Sequence, residues 1–256
     1  MKVFIINLKR SSERRVSIES QCKKFNLDYE FIDAVDGATL TPTEVKQHTR
    51  ALNYANKPGE IGCALSHIAA YRKIADLKLD KALILEDDAH LTADILPTLA
   101  AIDSIRDTRP AITLLTITDQ YLQRSSHIID SKHAIHSVFE ASLAHGYVIN
   151  AAAALRALSA LYPVWMVADR WQVFKEYSIC EINAVVPPVI TLSPLSKKSI
   201  INATECETEI HSIKKDIWKE LKRKRPLGLK LKRICWLARK PVLKIVKPSD
   251  AMQSVK

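Results

Sequence analysis

Glycine is scarce, at 5 in 256 residues, and the chain has no low-complexity run, which excludes a fibrous or disordered protein. Cys-x-x-Cys pairs are absent. The five cysteines, Cys22, Cys63, Cys180, Cys206 and Cys235, are odd in number and widely spread, so neither a disulfide framework nor a zinc site is indicated. A reducing compartment is expected, with each thiol acting as a small hydrophobe. No apolar run reaches the roughly 18 to 20 residues needed to cross a bilayer, and the opening MKVFIINLKR is charged too soon for a signal peptide. What is present is 47% hydrophobic residues in a chain long enough for a full core. One domain over residues 1–205 and an extension over 206–256 is the expected division.

Residues 59 to 90 organise the rest. From Ile61 to Ala75 the apolar positions Ile61, Ala64, Leu65, Ile68, Ala69 and Ala75 recur at helical spacing, giving an amphipathic helix. Ala82 to Leu85 is an apolar run too short for a helix, as expected of an inner strand covered on both faces. That strand runs into Glu86, Asp87 and Asp88, where alternation places Glu86 and Asp88 on one side. Open α/β sheets bind ligands at the carboxyl ends of their strands, and oxygen ligands there suit Mg²⁺ or Mn²⁺, with Glu86 and Asp88 as the metal candidates. A solvated acidic turn is the competing reading.

Upstream, Val3 to Leu8 reads as a strand, and Ser11 or Ser12 can cap a helix through Phe25. Arg10, Arg14 and Arg15 crowd that junction, as diphosphate-binding groups or as a solvated face. Tyr29 to Val35 is a second strand, so an early parallel α/β unit is expected. Asp36 after it can bind a ribose hydroxyl or serve as a turn residue, with Gly37 permitting a tight turn. Thr41-Pro42-Thr43-Glu44 is a capping box. Downstream, Thr92 can cap a helix through Ile102, Ala111 to Thr118 is β-rich, and polar Gln120 to Lys132 reads as a loop on the acceptor side. Leu143 to Asn150 reads as a strand and Ala151 to Leu161 as a helix. His90 is a further candidate ligand or phosphate contact, and Trp171 either a sugar platform or a core residue.

Several of these segments together resemble glycosyltransferase family 25. They are VFIINLKRSSERR at 3–15, FIDAVDG at 31–37, GEIGCALSH at 59–67 and LILEDD at 83–88, with weaker matches in HGYVIN at 145–150, VAD at 167–169, and VVPPVI with KKSI between 185 and 200. The resemblance covers residues 1–200 and implies an α/β, nucleotide-binding glycosyltransferase fold of the A type with a mostly parallel central sheet. It also implies transfer of a sugar, most often galactose, from a UDP-sugar to a lipooligosaccharide, lipopolysaccharide or related glycan. Asn7 and Arg10, in the segment Asn7-Leu8-x-Arg10, match the start of the family's donor site, which favours donor binding for the neighbouring Arg14 as well. Asp36, Ser66, His67, Asp87 and His145 are further donor-binding candidates, and His145-Gly146-Tyr147 matches the strand that lines its acceptor pocket. Asp169 matches the family's second acid. An inverting transfer needs a carboxylate that takes the acceptor hydroxyl's proton, and Asp169 is the catalytic candidate, a helix N-cap being the alternative.

Charge is unevenly distributed. Between Lys214 and Lys247 stand 14 Lys and Arg against Asp216 and Glu220, a balance of +12, so the remainder of a chain whose total is +10 sums to −2. Trp218, Leu221, Leu227, Leu229, Leu231, Ile234, Trp236 and Leu237 are interleaved with those cations. Such a basic, amphipathic helical extension suits an anionic membrane surface, and peripheral attachment at the inner, cytoplasmic face of the membrane is expected. A nucleic-acid role lacks a recognisable recognition fold and is not expected. The competing function is a catalytically inactive, membrane-surface glycan-binding or assembly protein on the same fold.

Overall fold

The computed structural model describes residues 1–197 and 207–248. Chain order begins β1 (Lys2–Asn7), α1 (Ser12–Lys24), β2 (Tyr29–Asp33), a 3-10 turn at Gly37–Thr39, α2 (Pro42–His48), α3 (Pro58–Asp76), β3 (Lys81–Glu86) and β4 (Ala89–Leu91). It continues through α4 (Ile95–Ser104), β5 (Ala111–Leu114), β6 (Gln120–Ile128), β7 (Ala134–Glu140), β8 (Gly146–Asn150), α5 (Ala151–Leu161), α6 (Trp171–Glu176), β9 (Glu181–Val186) and β10 (Ile190–Leu192). After residue 206 come α7 (Glu207–Arg223), α8 (Leu227–Arg239) and β11 (Ile245–Val246).

Nine strands form one sheet in the order β11-β6-β7-β9-β5-β8-β3-β1-β2, and β4 pairs with β10 in a separate ribbon. The α/β class is as expected, and the sheet is mixed. Parallel pairing is confined to β2-β1-β3 and β5-β9, while β8 runs antiparallel to both β3 and β5. Strand alternation explains the two-sided core. On β3, Ala82 and Ile84 join Phe4 and Ile6 beneath α3 and α5, while Leu83 and Leu85 join Val3 and Ile5 beneath α1 and α4.

α3 buries Ile61, Ala64, Leu65 and Ile68 at the expected spacing, together with Tyr71 and Ile74. Its entry depends on two glycines meeting. A Cβ at Gly62 would lie 2.4 Å from the Val35 carbonyl oxygen and 2.6 Å from the Gly37 amide nitrogen. Gly37 has no positive φ, so the turn needs it for close approach and not for a left-handed conformation. The capping box of α2 is formed, with the Glu44 amide donating to Thr41 Oγ1 at 3.3 Å and the Thr41 amide to Glu44 Oε2 at 2.8 Å.

Three expected elements differ. Residues 120–128 form strand β6, hydrogen-bonded to β7 on one side and to β11 on the other, and not a loop. Its polar residues are solvent-facing, and only Tyr121 is buried. The strand before α5 begins at Gly146 because Leu143 turns the backbone at φ 69°. Thr92 does not cap α4, which starts at Ile95 after Asp94; its hydroxyl instead donates to the Val189 carbonyl.

The C-terminal segment is bonded to the rest of the chain. Leu221 is buried in the core beside Ile217 and Trp218, and Trp218 meets Tyr54 edge-on at 5.7 Å. Arg225 is buried and, with Arg233, pairs with Glu176 at the end of α6. β11 extends the sheet beyond β6.

Candidate active site

The carboxyl end of β3 lies between α3 and α1, and the three acids there divide between those neighbours. Glu86 continues the Ala82–Ile84 side and meets α3, its Oε1 lying 3.1 Å from His67 Nε2. Asp87 turns the other way. Its Oδ2 accepts from Asn7 Nδ2 at 2.7 Å and its Oδ1 from Arg14 Nη1 at 3.2 Å. Asn7 and Asp87 are both buried, so the pair locks the ends of β1 and β3 together and holds the Arg14 guanidinium over the cluster. Arg14 reaches Asp88 Oδ2 at 3.8 Å and donates to the Leu195 carbonyl.

Electrostatics separate the three. Burial pushes Glu86 upward, but the hydrogen bond and charge of His67, with His145 and Arg14, outweigh it and hold Glu86 below the usual carboxylate range. Burial raises Asp87, with Asn7 and Arg14 opposing. Asp88 has less compensation: burial first, and then the charge of Glu86, push it to about 7. Its Oδ1 is buried without a hydrogen-bond partner.

Asp169 belongs to the same electrostatic group. Burial and then the charge of Glu86 raise its pKa, while the Leu143 backbone N–H donates to it. α6 begins after it with Arg170 as the N-cap and no side-chain cap, so the N-cap alternative does not hold for Asp169. His145, just before β8, is buried with both ring nitrogens lacking partners, and burial holds it in its neutral form. Its backbone carbonyl accepts from the Glu86 amide at 3.1 Å.

His67 sits in a buried hydrogen-bonded chain. Its Nδ1 is 2.7 Å from Tyr147 Oη, which is 3.0 Å from Tyr71 Oη, and its ring stacks on Tyr147 at 5.7 Å. Tyr147 is fully buried, so it fixes His67 and lines no open pocket. Neither tyrosine's part in this chain was legible, because it arises only where α3 packs across β8. Cys63, one helical turn before His67, is a plain small hydrophobe by sequence alone. Its sulfur and the ligand atoms of His67 and Glu86 lie within 4.8 Å of one another, and burial, with the charges of Glu86, Asp169 and Asp88, raises its thiol well above the ordinary value.

Other expected residues lie apart from the acids or have their polar atoms engaged elsewhere. Ser66 donates to the Gly62 carbonyl at 2.6 Å and accepts from the Val35 amide at 2.9 Å, tying α3 to the end of β2. Arg10 and Asp36 pair with each other at the partly exposed ends of β1 and β2, and Asp36 also caps the 3-10 turn. Arg15 lies over the Phe31 ring at 3.6 Å. His90 is exposed on β4, in register with Thr191. Trp171 is a core residue whose Nε1 donates to the Leu143 carbonyl.

The charge of Glu86 raises the proton affinity of Asp87, Asp88 and Asp169 around one partly open strand end, and an orphaned carboxylate oxygen and an unpartnered imidazole lie among them. That donor set fits a hard divalent cation, whose charge would satisfy Asp88 and the group around it. A carboxylate cluster in this place fits the general class of α/β proteins whose ligand sites lie at the carboxyl ends of their strands.

More specifically, the chain belongs to glycosyltransferase family 25, described as an LPS biosynthesis protein family, whose model matches residues 1–171. A glycosyltransferase of Acanthamoeba polyphaga mimivirus is 31% identical over 167 residues, covering 60% of this chain and 51% of the relative. Human procollagen galactosyltransferase 2 is 34% identical over 100 residues, covering 34% of this chain and 15% of the relative. The chain thus spans about half or less of these relatives. Among solved structures, a glycosyltransferase involved in glycosylating the major capsid of PBCV-1 aligns with a TM-score of 0.36 and 11% identity, over 69% of this chain and 75% of that one.

Proposed function

We propose that the protein is an inverting glycosyltransferase that moves a hexose, galactose by its relatives' names, from a UDP-sugar to a lipooligosaccharide, lipopolysaccharide or related glycan. The observation that carries this reading is the carboxylate cluster at the end of β3, with Asp88 raised to about 7 beside Glu86, inside the region matched by the family model. Asp88 and Glu86 are the residues to hold Mn²⁺ or Mg²⁺, with His145 as an imidazole within the same cluster. When bound, the cation would neutralise charge on the departing diphosphate.

The chain's own groups do the rest. Arg14, fixed by Asp87, offers a guanidinium to the diphosphate, and Asn7 holds that pair in place. Asp169 takes the proton of the acceptor hydroxyl as its oxygen forms a bond to the anomeric carbon. The bond from that carbon to the UDP oxygen breaks on the opposite face, and UDP leaves with the electron pair. A carboxylate raised by burial is a stronger base than one in water, which suits that role. His67, anchored by Tyr147, positions Glu86.

The test is incubation of the full chain with UDP-galactose, UDP-glucose and UDP-N-acetylglucosamine, with Mn²⁺ or Mg²⁺, reading UDP release and transfer to lipid-linked glycan. Cation-dependent release with at least one donor is the expected result. No release with any donor, together with retained glycan binding, would support the inactive glycan-binding alternative instead.

A further inference from the structure

α7 and α8 are both basic and amphipathic, yet they face opposite ways. α7 turns Ile217, Trp218 and Leu221 toward the body and leaves Lys215, Lys219 and Lys222 exposed, the usual arrangement for a surface helix. α8 turns Leu229, Arg233 and Trp236 inward. Trp236 stacks on Phe139 at 4.9 Å and Arg233 pairs with Glu176. The outer face therefore carries Leu227, Leu231, Ile234 and Ala238, spaced four, three and four apart along one line of the helix. Exposure is 77% at Leu227, 62% at Leu231 and 61% at Ile234, and Leu237 beside them is 45% exposed.

Cations border this stripe on both sides, with Lys230 along one edge and Lys232 and Arg239 along the other. Lys230 donates to the Arg223 carbonyl and Lys232 to the Ser178 hydroxyl, both neutral acceptors, so their charge is not cancelled. By contrast Lys214, Arg223, Lys224, Arg225 and Arg233 are paired with carboxylates of the same chain.

We propose that the outer face of α8 docks the protein on an anionic lipid surface, with Leu227, Leu231 and Ile234 entering the acyl boundary and Lys230, Lys232 and Arg239 meeting lipid phosphates. The contact is interfacial: among the described residues no helix is long and apolar enough to cross a membrane. Charge decides between occupants. A second copy seated on this stripe would bring the same lysines and arginine against their equivalents. A nucleic acid would use the cations and leave the aliphatic stripe in water. A lipid surface satisfies both halves of the pattern. Trp236, an expected membrane-inserting residue on sequence grounds, has a packing role instead.

The proposal is independent of the sugar-transfer reading, and its test uses vesicles without glycan. Full-length protein is sedimented with phosphatidylcholine vesicles and with vesicles containing phosphatidylglycerol, at low and high salt. Wild type is expected to bind the anionic vesicles, and to release as salt rises because the Debye length shortens from about 30 Å at 0.01 M to about 10 Å at 0.1 M. Leu231→Ser with Ile234→Ser should weaken partitioning at least about tenfold, and Lys230→Gln with Arg239→Gln should weaken it on anionic vesicles alone. These side chains are outside the core, so melting temperature and UDP release should be unchanged. Equal sedimentation of the Leu231→Ser/Ile234→Ser variant and wild type would overturn the proposal. So would equal binding to neutral and anionic vesicles, or a wild-type dimer that the same substitutions dissociate. Release from vesicles by a competing oligonucleotide, with the serine variant binding it as tightly as wild type, would reassign the surface to nucleic acid.

Discussion

At Asp88 a carboxyl oxygen without a donor is buried beside Glu86, and its pKa moves from the ordinary 3.8 to about 7. The folded protein therefore keeps a proton there, between about pH 4 and 7, that the unfolded chain gives up. Stability of the cation-free protein accordingly falls as pH rises through that window and stays low above it. A divalent cation bound there would take the proton's place, so protons and cation would compete, and cation affinity should weaken as pH drops below about 7. Asp88→Asn should raise the melting temperature of cation-free protein at pH 8 by several degrees, at about 2 to 4 °C per kcal/mol, and abolish the further rise caused by Mn²⁺. It should also lower sugar transfer more than about tenfold, a barrier change above roughly 1.4 kcal/mol. A variant that Mn²⁺ stabilises as much as wild type would remove Asp88 from the cation site. Asp169→Asn should behave differently, cutting turnover at least about 100-fold while leaving UDP and cation binding near wild type, because a base acts in the chemical step. Equilibrium binding beside single-turnover rates separates the two: loss of UDP binding would place Asp169 in the donor site.

Elements were legible where one period ran through consecutive residues. Ala151 to Leu161 begins and ends as its composition implies, and Ile61 to Ile68 marks the buried face of α3. Residues 120–128 were not legible, because their strand character comes from backbone bonds to β7 and β11, and their solvent-facing side chains carry no apolar period. The glycines divide in the same way: Gly62 and Gly228 are both helical, and sequence alone does not tell them apart. At Gly62 an added Cβ meets two backbone atoms closer than 3.0 Å, whereas at Gly228 it meets nothing within 4 Å. Gly62→Ala should therefore destabilise by about 2 kcal/mol or more, since backbone rather than a flexible side chain must move. Sugar transfer should fall with it, because α3 carries His67 to Glu86. Gly228→Ala should instead stabilise α8 by up to about 1 kcal/mol. Denaturant midpoints of the two variants decide the matter: a neutral Gly62→Ala would show that α3 and the turn at Gly37 can separate without cost.

Across the whole molecule, the candidate site was legible as a list of residues but not as a set of contacts. Glu86, Asp87 and Asp88 stand together in the chain, whereas the approach of Cys63, Tyr147 and Asp169 to them depends on how α3, β8 and the start of α6 converge. The same limit applies to the C-terminal segment, whose charge count implied an appendage. Pairing of Arg225 with Glu176, remote in sequence, makes it part of the body: their side chains are 3% and 10% exposed. Glu176 ends the helix that starts after Asp169, so the C-terminal segment braces the helix that directly follows the proposed base. Removing residues 207–256 would leave Glu176 without its cations, expose Tyr54 and Phe139 where Trp218 and Trp236 now pack, and open the β6 edge. Breaking a buried pair by deleting one partner costs about 3 to 5 kcal/mol, a large share of the roughly 5 to 15 kcal/mol by which a domain is stable. The shortened chain should therefore melt well below the full one and lose UDP release in proportion to its folded fraction. Arg225→Ala in the full chain should reproduce much of that loss while retaining vesicle binding, because Arg225 is buried and lies outside the α8 stripe. Thermal melting of the full chain, the 1–206 fragment and the Arg225→Ala variant, each with UDP release measured below the transition, tests this directly. A fragment as stable and active as the full chain would show that the helices rest on the body without supporting it.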